Sequence, residues 1–152
     1  MIASHIPGTI KQFGRTIWRF QQTFGTPLKD LDRFVSTILS ADPMIEEACV
    51  TIDQVVFEPK HLITLLSSNS LPTNYGHDWS FNVTGKQQVH ELLKTILADP
   101  VDFFFIPTPK PFVIYADHDE YITFYANTKS NLNRAVNPLS DKGFKLIKDF
   151  QR

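Results

Sequence analysis

Three strand-length apolar runs follow one another closely between residues 101 and 126, and this pattern constrains the fold more than any other feature of the chain. The runs cover residues 101–106, 112–117 and 121–126, and only the short links PTPKP and HDE separate them. Links this short connect antiparallel neighbours, because a parallel crossover needs a dozen or more residues. The segment therefore predicts three consecutive antiparallel strands.

A strand and a helix are predicted immediately before these three strands. Apolar and polar side chains alternate over residues 79–83, as expected for a half-buried strand. Thr84 and Gln87 have the spacing of a capping box, in which side chains satisfy the free backbone groups at a helix start. The apolar face of this helix is formed by Val89, Leu92, Leu93, Ile96 and Leu97.

The chain after residue 126 is predicted to add one more helix and one more strand. Thr128 or Ser130 is expected to cap the helix, because both carry a hydroxyl just before its apolar positions. Pro138 is expected to kink or shorten this helix, and Gly143 to end it. Residues 144–150 are then predicted as the final strand.

The first 66 residues are predicted to be mainly helical. Apolar side chains at intervals of three and four residues predict a helix over residues 6–24, and they are Ile6, Ile10, Phe13, Ile17, Phe20 and Phe24. Similar patterns predict helices over residues 27–42 and 59–66. Residues 49–57 lie between these helices, are rich in β-branched side chains and predict one strand or a short bulged pair.

These elements predict the α+β (mixed α/β) class, with helices packed on a mixed, largely antiparallel sheet of about five strands. A length of 152 residues suits a single domain, residues 1–152. We expect a mainly helical part over residues 1–66 and a β-α-β-β-β-α-β part over residues 79–152.

Charge and cysteine content exclude several classes of protein. Fifteen lysine and arginine side chains oppose sixteen acidic ones, so we expect neither nucleic acid nor a membrane as a partner. Cys49 is the one cysteine and cannot form an internal disulfide, and no run of apolar residues has the length of a membrane helix. We therefore expect a cytoplasmic protein, and the sequence gives no indication of its oligomeric state.

The predicted strand directions assign the polar side chains to two ends of the sheet. A β-α-β unit would make strands 79–83 and 101–106 parallel. The link 118–120 then lies at one end of the sheet, and the links 107–111 and 127–130 lie at the other. Strands of six residues separate the two ends by about 20 Å.

The first of these ends collects the densest group of ionisable side chains in the chain. We predict a partner-binding surface here, formed by Asp117, His118, Asp119, Glu120, His77 and Asp78. Acidic side chains on a short hairpin link suit a basic protein partner, because complementary charge speeds encounter and sets specificity. His118 with its neighbouring acids also has the composition of an acid–base or metal site, although no metal-binding spacing is present.

The opposite end combines two predicted helix starts with several basic side chains. Free backbone N–H groups at a helix start attract anions, so a weaker hypothesis is an anion site there. Its candidate residues are Thr84, Lys86, Lys110, Asn127, Thr128, Lys129, Ser130 and Arg134. No glycine-rich phosphate loop accompanies them.

Three functions are therefore open from the sequence. The first is a non-enzymatic protein-binding module, of the kind that neutralises a toxin as bacterial immunity and antitoxin proteins do, with the acidic hairpin end against a basic partner. The second is a small enzyme or a metal- or ligand-binding domain that uses His118, and the third is an anion-binding domain. For the first function we expect no catalytic residue, metal or cofactor.

Overall fold

A computed structural model describes residues 1–150 of the chain, which form eight strands and five helices. The strands are β1 (Ile2–His5), β2 (Phe20–Gly25), β3 (Glu47–Val55), β4 (Trp79–Thr84), β5 (Val101–Thr108), β6 (Val113–Ala116), β7 (Tyr121–Ala126) and β8 (Leu146–Ile147). The helices are α1 (Thr9–Arg15), α2 (Leu31–Ser40), α3 (Lys60–Ser68), α4 (Lys86–Leu97) and α5 (Lys129–Asp141).

All eight strands belong to one antiparallel sheet in the order β1-β4-β3-β5-β6-β7-β2-β8. The predicted α+β class is confirmed, but the sheet has eight strands where about five were expected, and it is antiparallel throughout. Strands β4 and β5 do run in the same direction, as predicted. They are not neighbours, because β3 pairs with both of them and lies between them.

The three predicted strands between residues 101 and 126 are confirmed as β5, β6 and β7. Phe104 faces Tyr115 across the first pair, and Tyr115 faces Thr123 across the second. The short links therefore fix the centre of the sheet, as their length requires.

The helix predicted over residues 6–24 is wrong. Gly8 adopts a left-handed conformation at the start of α1, and the chain becomes extended at Thr16, so the helix covers only seven residues. Phe20 and Phe24 lie in β2, which pairs along its whole length with β7. Because these two side chains are four residues apart, they fit one face of a strand as well as one face of a helix.

Other element boundaries also differ from the predictions. Helix α4 begins after Gly85 without a side-chain cap, and Thr84 is the last residue of β4, so the predicted capping box is wrong. Thr128 caps α5 as expected, because its Oγ1 accepts a hydrogen bond from the N–H of Asn131 at 3.1 Å. The final strand is reduced to the two residues of β8, and α5 continues past Pro138 to Asp141.

Four helices cover one face of the sheet and form the core with it. Helix α2 packs against α4 and α5, α3 packs against α4, and α4 and α5 lie on the strands. The largest fully buried side chains on or near this face are aromatic, namely Phe24, Phe34, Phe81, Phe103, Phe105, Phe112 and Phe124. Within residues 1–150 no helix is both long and apolar enough to cross a membrane.

Helix α1 lies on the opposite face of the sheet, and a buried carboxylate fixes it there. Asp78 accepts hydrogen bonds from the backbone N–H groups of Gly8 at 2.7 Å and Ile10 at 2.8 Å. Phe13 then packs on Phe104, with 4.9 Å between the ring centroids. This face consequently holds a short helix and leaves part of the sheet uncovered.

Candidate functional site

The structure places the two groups of predicted partner-binding residues at the same end of the sheet, where β4 and β7 begin, but the two groups are not in contact. His77 and Asp78 precede β4, whereas residues 117–120 connect β6 to β7. Three strand steps separate β4 from β6 in the sheet order, which corresponds to about 14 Å. A single small ligand therefore cannot contact both groups, although a protein surface can.

Asp117 shapes the hairpin turn between β6 and β7. Its Oδ1 accepts hydrogen bonds from the backbone N–H groups of Asp119 at 2.9 Å and Tyr121 at 3.1 Å. Glu120 adopts a left-handed backbone conformation with a φ of 67°. The turn leaves the side chain of Asp119 72% exposed, so its carboxylate is available to a partner.

Asp102 orients His118 from the adjacent strand. The buried carboxylate of Asp102 accepts hydrogen bonds from the backbone N–H of His118 at 2.7 Å and pairs with its Nδ1 at 2.8 Å. The pKa of His118 is raised, chiefly by this hydrogen bond and further by the charges of Asp102, Asp119 and Asp117, although partial burial opposes the shift. This geometry is that of a histidine held for proton transfer, and it equally serves to fix the turn.

The stability advantage of the wild-type protein over a His118→Gln variant is expected to shrink as the pH rises. A group with a raised folded-state pKa stabilises the fold fully below its unfolded pKa, and this contribution is lost as the pH rises through the folded value. For His118 the loss therefore begins above its usual value of 6.5. Urea midpoints of both proteins from about pH 5 to about pH 9 test this expectation, and a constant difference between them would contradict it.

A pocket of about 200 Å³, here called the hairpin pocket, opens beside this turn. Its apolar wall comes from Leu28, Leu97 and Phe103, and its polar rim includes Asp117 and Glu120. Thr26 also lines the pocket, and its Oγ1 is buried without a hydrogen-bond partner. An apolar wall with a carboxylate rim is the combination that a lysine or arginine side chain fills.

Asp99 lines the hairpin pocket, but its carboxylate is already hydrogen-bonded to the start of α3. Its carboxylate accepts hydrogen bonds from the backbone N–H groups of His61 at 3.2 Å and Leu62 at 2.7 Å. It also pairs with the His61 ring at 2.8 Å. Asp99 thus satisfies the free donors at the start of α3, where the residue before the helix is Pro59 and supplies no side-chain cap.

His77 and Asp78 have different surroundings from those expected of an open acidic surface. Asp78 is 5% exposed and holds α1, and the pKa of its carboxyl group is lowered, chiefly by the hydrogen bond from Ile10. The exposed ring of His77 places its Nδ1 2.8 Å from the carbonyl oxygen of Asp53 and its Nε2 3.5 Å from Asp78. Of these two predicted residues, His77 presents the more accessible side chain.

The predicted anion-binding residues lie at the opposite end of the sheet. Thr84 ends β4 and Thr128 follows β7, and these strands are four strand steps apart, or about 19 Å. The starts of α4 and α5 therefore cannot share one small anion. All eight candidate residues there are exposed, namely Thr84, Lys86, Lys110, Asn127, Thr128, Lys129, Ser130 and Arg134.

No set of three or more His, Cys, Asp or Glu side chains converges as metal ligands in the described part of the chain. The dense acidic run at residues 117–120 is therefore spread along a turn, and its members do not point to a common centre. The metal-binding alternative has no ligand set on which to build within residues 1–150.

A second cavity, here called the aromatic groove, lies on the face of the sheet that carries α1 and has a volume of about 430 Å³. Four aromatic rings and one carboxylate line it together with α1, and the lining residues are Ile10, Gly14, Asp53, Phe104, Tyr115, Tyr125 and Phe150. This groove is not among the sites predicted from the sequence. The available signal was the alternation of Tyr121, Thr123 and Tyr125 along one side of β7.

Comparisons of the chain with protein-family models, with curated proteins and with solved structures find no match.

Proposed function

We propose that the chain is a non-enzymatic protein-binding module and that its hairpin pocket receives one basic side chain of a partner protein. The observation that carries this proposal is the apolar pocket of about 200 Å³ directly beside an exposed acidic turn. Leu28 and Leu97 supply the accessible part of the apolar wall, and Glu120 lies at the rim.

The chemistry of lysine and arginine side chains fits this arrangement. Both have an apolar stem and a charged head, and they place the stem on apolar surface while the head remains in a polar environment. The stem would pack on Leu28 and Leu97, and the head would lie between Glu120 and Asp119. Because Asp119 is largely exposed, it also adds long-range attraction during encounter.

A partner with a basic surface is the expected consequence. Neutralising a basic toxin, as immunity and antitoxin proteins of bacteria do, is the form of this function that we propose. His77 lies at the same end of the sheet and extends the surface that a protein partner of ordinary size would cover.

One specific observation favours the enzyme alternative, namely the hydrogen-bonded pair of His118 and Asp102. A carboxylate that orients a histidine is a recurrent part of acid–base sites. The same pair fixes the hairpin turn, however, because Asp102 also binds the backbone N–H of His118. We therefore assign this pair a positioning role in the proposed protein-binding function.

The proposal is tested with two double variants that change the net charge equally. Asp119→Asn with Glu120→Gln removes the two exposed carboxylates of the turn, and Glu46→Gln with Glu47→Gln removes two exposed carboxylates far from it. Asp117 is left unchanged because it shapes the turn. The probes are acetylated and amidated tripeptides Gly-Lys-Gly and Gly-Arg-Gly, with norleucine at the centre as a neutral control.

Amide chemical shifts provide the readout. For the wild-type protein and the Glu46/Glu47 variant we expect saturable shifts from the two basic peptides at residues 97–103 and 116–120. In the Asp119/Glu120 variant the affinity should fall by about fivefold or more. Equal responses in both variants, or equal binding of the norleucine peptide, would overturn the proposal. A protein captured from cells supports it only when the Asp119/Glu120 variant alone fails to retain that protein.

A further inference from the structure

His118 belongs to the lining of the hairpin pocket as well as to the turn beside it. It lines the pocket together with Asp117 and Glu120 from the same turn. The side chain of His118 is 34% exposed, so part of its ring is accessible to solvent and to an occupant of the pocket. A charge on this ring therefore lies beside the position that the basic side chain of a partner would take.

Asp102 determines which nitrogen of the His118 ring exchanges its proton. Asp102 Oδ1 lies 2.8 Å from Nδ1 and also accepts a hydrogen bond from the backbone N–H of His118 at 2.7 Å. An ionised carboxylate only accepts hydrogen bonds, so Nδ1 is the donor in this pair and keeps its proton in both charge states. The proton that His118 gains or loses is consequently the one on Nε2.

Nε2 of His118 lies near the most accessible carboxylate of the turn. Its distance to Asp119 Oδ1 is 3.7 Å, and the side chain of Asp119 is 72% exposed. When Nε2 carries a proton, the ring is a cation and attracts this carboxylate. When Nε2 has lost its proton, the ring is neutral, and the nitrogen accepts a hydrogen bond instead of donating one.

The titratable groups that face His118 from its own turn, from β5 and from the pocket lining are all carboxylates. They are Asp99, Asp102, Asp117, Asp119 and Glu120. Asp99 in turn pairs with the His61 ring. Within residues 1–150 no lysine or arginine lines the pocket. His118 is therefore the group whose protonation adds a positive charge to the pocket near neutral pH.

A positive charge on His118 opposes the binding of a second cation in the same pocket. Like charges repel, and a partly enclosed site screens this repulsion less than open water does. The protonated ring also competes with the head of the partner's side chain for the carboxylate of Asp119. Loss of the Nε2 proton removes both effects and leaves only negative charges around the pocket.

We propose that His118 makes the hairpin pocket sensitive to pH, so that the pocket holds a basic side chain while His118 is neutral and releases it when His118 is protonated. This inference rests on the proposed protein-binding function and names the regulation of the same site. The affinity for a basic partner consequently rises with pH through the titration of His118. Because the coupling is reciprocal, a bound basic side chain must also favour the loss of the Nε2 proton.

The opposite sign of the stability effect separates regulation from unfolding. The pKa of His118 is raised in the folded protein, so the protonated ring stabilises the fold. A weaker affinity at low pH therefore cannot come from the loss of this stabilising contribution.

The probe is the acetylated and amidated peptide Gly-Arg-Gly, because its guanidinium group remains charged at every pH used. Methyl chemical shifts of Leu28 and Leu97 report binding in the pocket and do not suffer from exchange with water. Between about pH 5.5 and about pH 8.5 the affinity should rise by about fivefold or more. Saturable binding with a constant affinity over this range would overturn the pH-sensitivity and leave the proposed protein-binding function intact. Absence of saturable binding at every pH would overturn both.

Two variants of His118 fix its charge. His118→Gln is neutral and keeps an N–H donor for Asp102, so we expect the affinity of the wild-type protein at high pH to be reached at every pH. His118→Arg is charged throughout and should bind no more tightly than the wild-type protein does at low pH. A variation with pH that persists in His118→Gln, or equal affinities of the two variants, would overturn the proposal.

The matched control is His5→Gln, which removes an exposed histidine from β1. Strand β1 is four strand steps from β6, or about 19 Å, so this histidine lies far from the pocket. The control should keep the full pH dependence of the wild-type protein. Loss of the pH dependence in His5→Gln would assign the effect to another histidine and overturn the proposal.

A second measurement needs no variant. The Cε1 proton resonance of His118 gives its pKa in the wild-type protein, with and without saturating Gly-Arg-Gly. The pKa should be lower in the complex, and a fivefold effect on affinity requires an acid dissociation constant about five times larger. The peptide with norleucine at its centre should leave the pKa unchanged. An equal pKa of His118 in the free protein and in the Gly-Arg-Gly complex would overturn the proposal, whatever the variants show.

Discussion

Replacing Phe124 with alanine is expected to lower the free energy of unfolding by about 3–5 kcal/mol. Phe124 lies in β7 and is completely buried. Its ring contacts Phe24 edge-on at 5.9 Å and Phe112 at 5.7 Å between centroids. The substitution therefore removes the apolar contacts to the rings of Phe24 and Phe112. It leaves a cavity that the surrounding sheet cannot fill.

Urea denaturation followed by circular dichroism measures this effect. The matched control is Phe57→Ala, because the Phe57 side chain is 70% exposed. This control should change the free energy of unfolding by no more than about 0.5 kcal/mol. Similar losses in the two variants would mean that Phe124 is not part of the packed core.

A second large effect is expected for Asp99→Ala, which should lower the free energy of unfolding by about 2–3 kcal/mol. The buried carboxylate satisfies the N–H groups of His61 and Leu62 at the start of α3. Alanine leaves both donors without this partner, and the cost arises from these unsatisfied groups.

The control for Asp99 is Glu91→Ala, which removes an exposed carboxylate from α4. It should leave the unfolding midpoint close to that of the wild-type protein. His61→Gln isolates the contribution of the ring, which is small because the His61 side chain is 65% exposed. An Asp99→Ala midpoint equal to that of Glu91→Ala would contradict the capping role.

The short links around β6 made the centre of the sheet predictable, since a chain segment of three to five residues permits little besides an antiparallel turn. Residues 20–25 were not predictable in the same way. Their apolar side chains fit both a helix and a strand, and pairing with β7 decides between the two. That pairing depends on residues 121–126, which no local pattern around Phe24 can indicate.

The position of β3 has a similar explanation. The common direction of β4 and β5 follows from the helix between them, but which strand fills the space between them depends on long-range packing. Val50 faces Phe81 on one side and Phe105 on the other, and only the assembled core makes this placement favourable.

The candidate sites also differ in whether their residues are close together in the sequence. The ionisable residues of the hairpin are consecutive, so their proximity was evident from the sequence, whereas the apolar wall of the hairpin pocket comes from distant segments. Asp53, Tyr115 and Tyr125 of the aromatic groove come from three different strands. Asp78 was expected at an acidic surface, but the short α1 requires a buried acceptor for its first N–H groups.

The pairing of β2 with β7 also has a consequence for how the protein forms on the ribosome. Thr23 and Thr123 share a buried hydrogen bond at 2.8 Å across a separation of one hundred residues. Strand β2 therefore leaves the exit tunnel long before its partner β7 has been translated. The nascent chain must carry an unpaired β2 through most of synthesis, and the sheet can close on that side only after residues 121–126 have emerged.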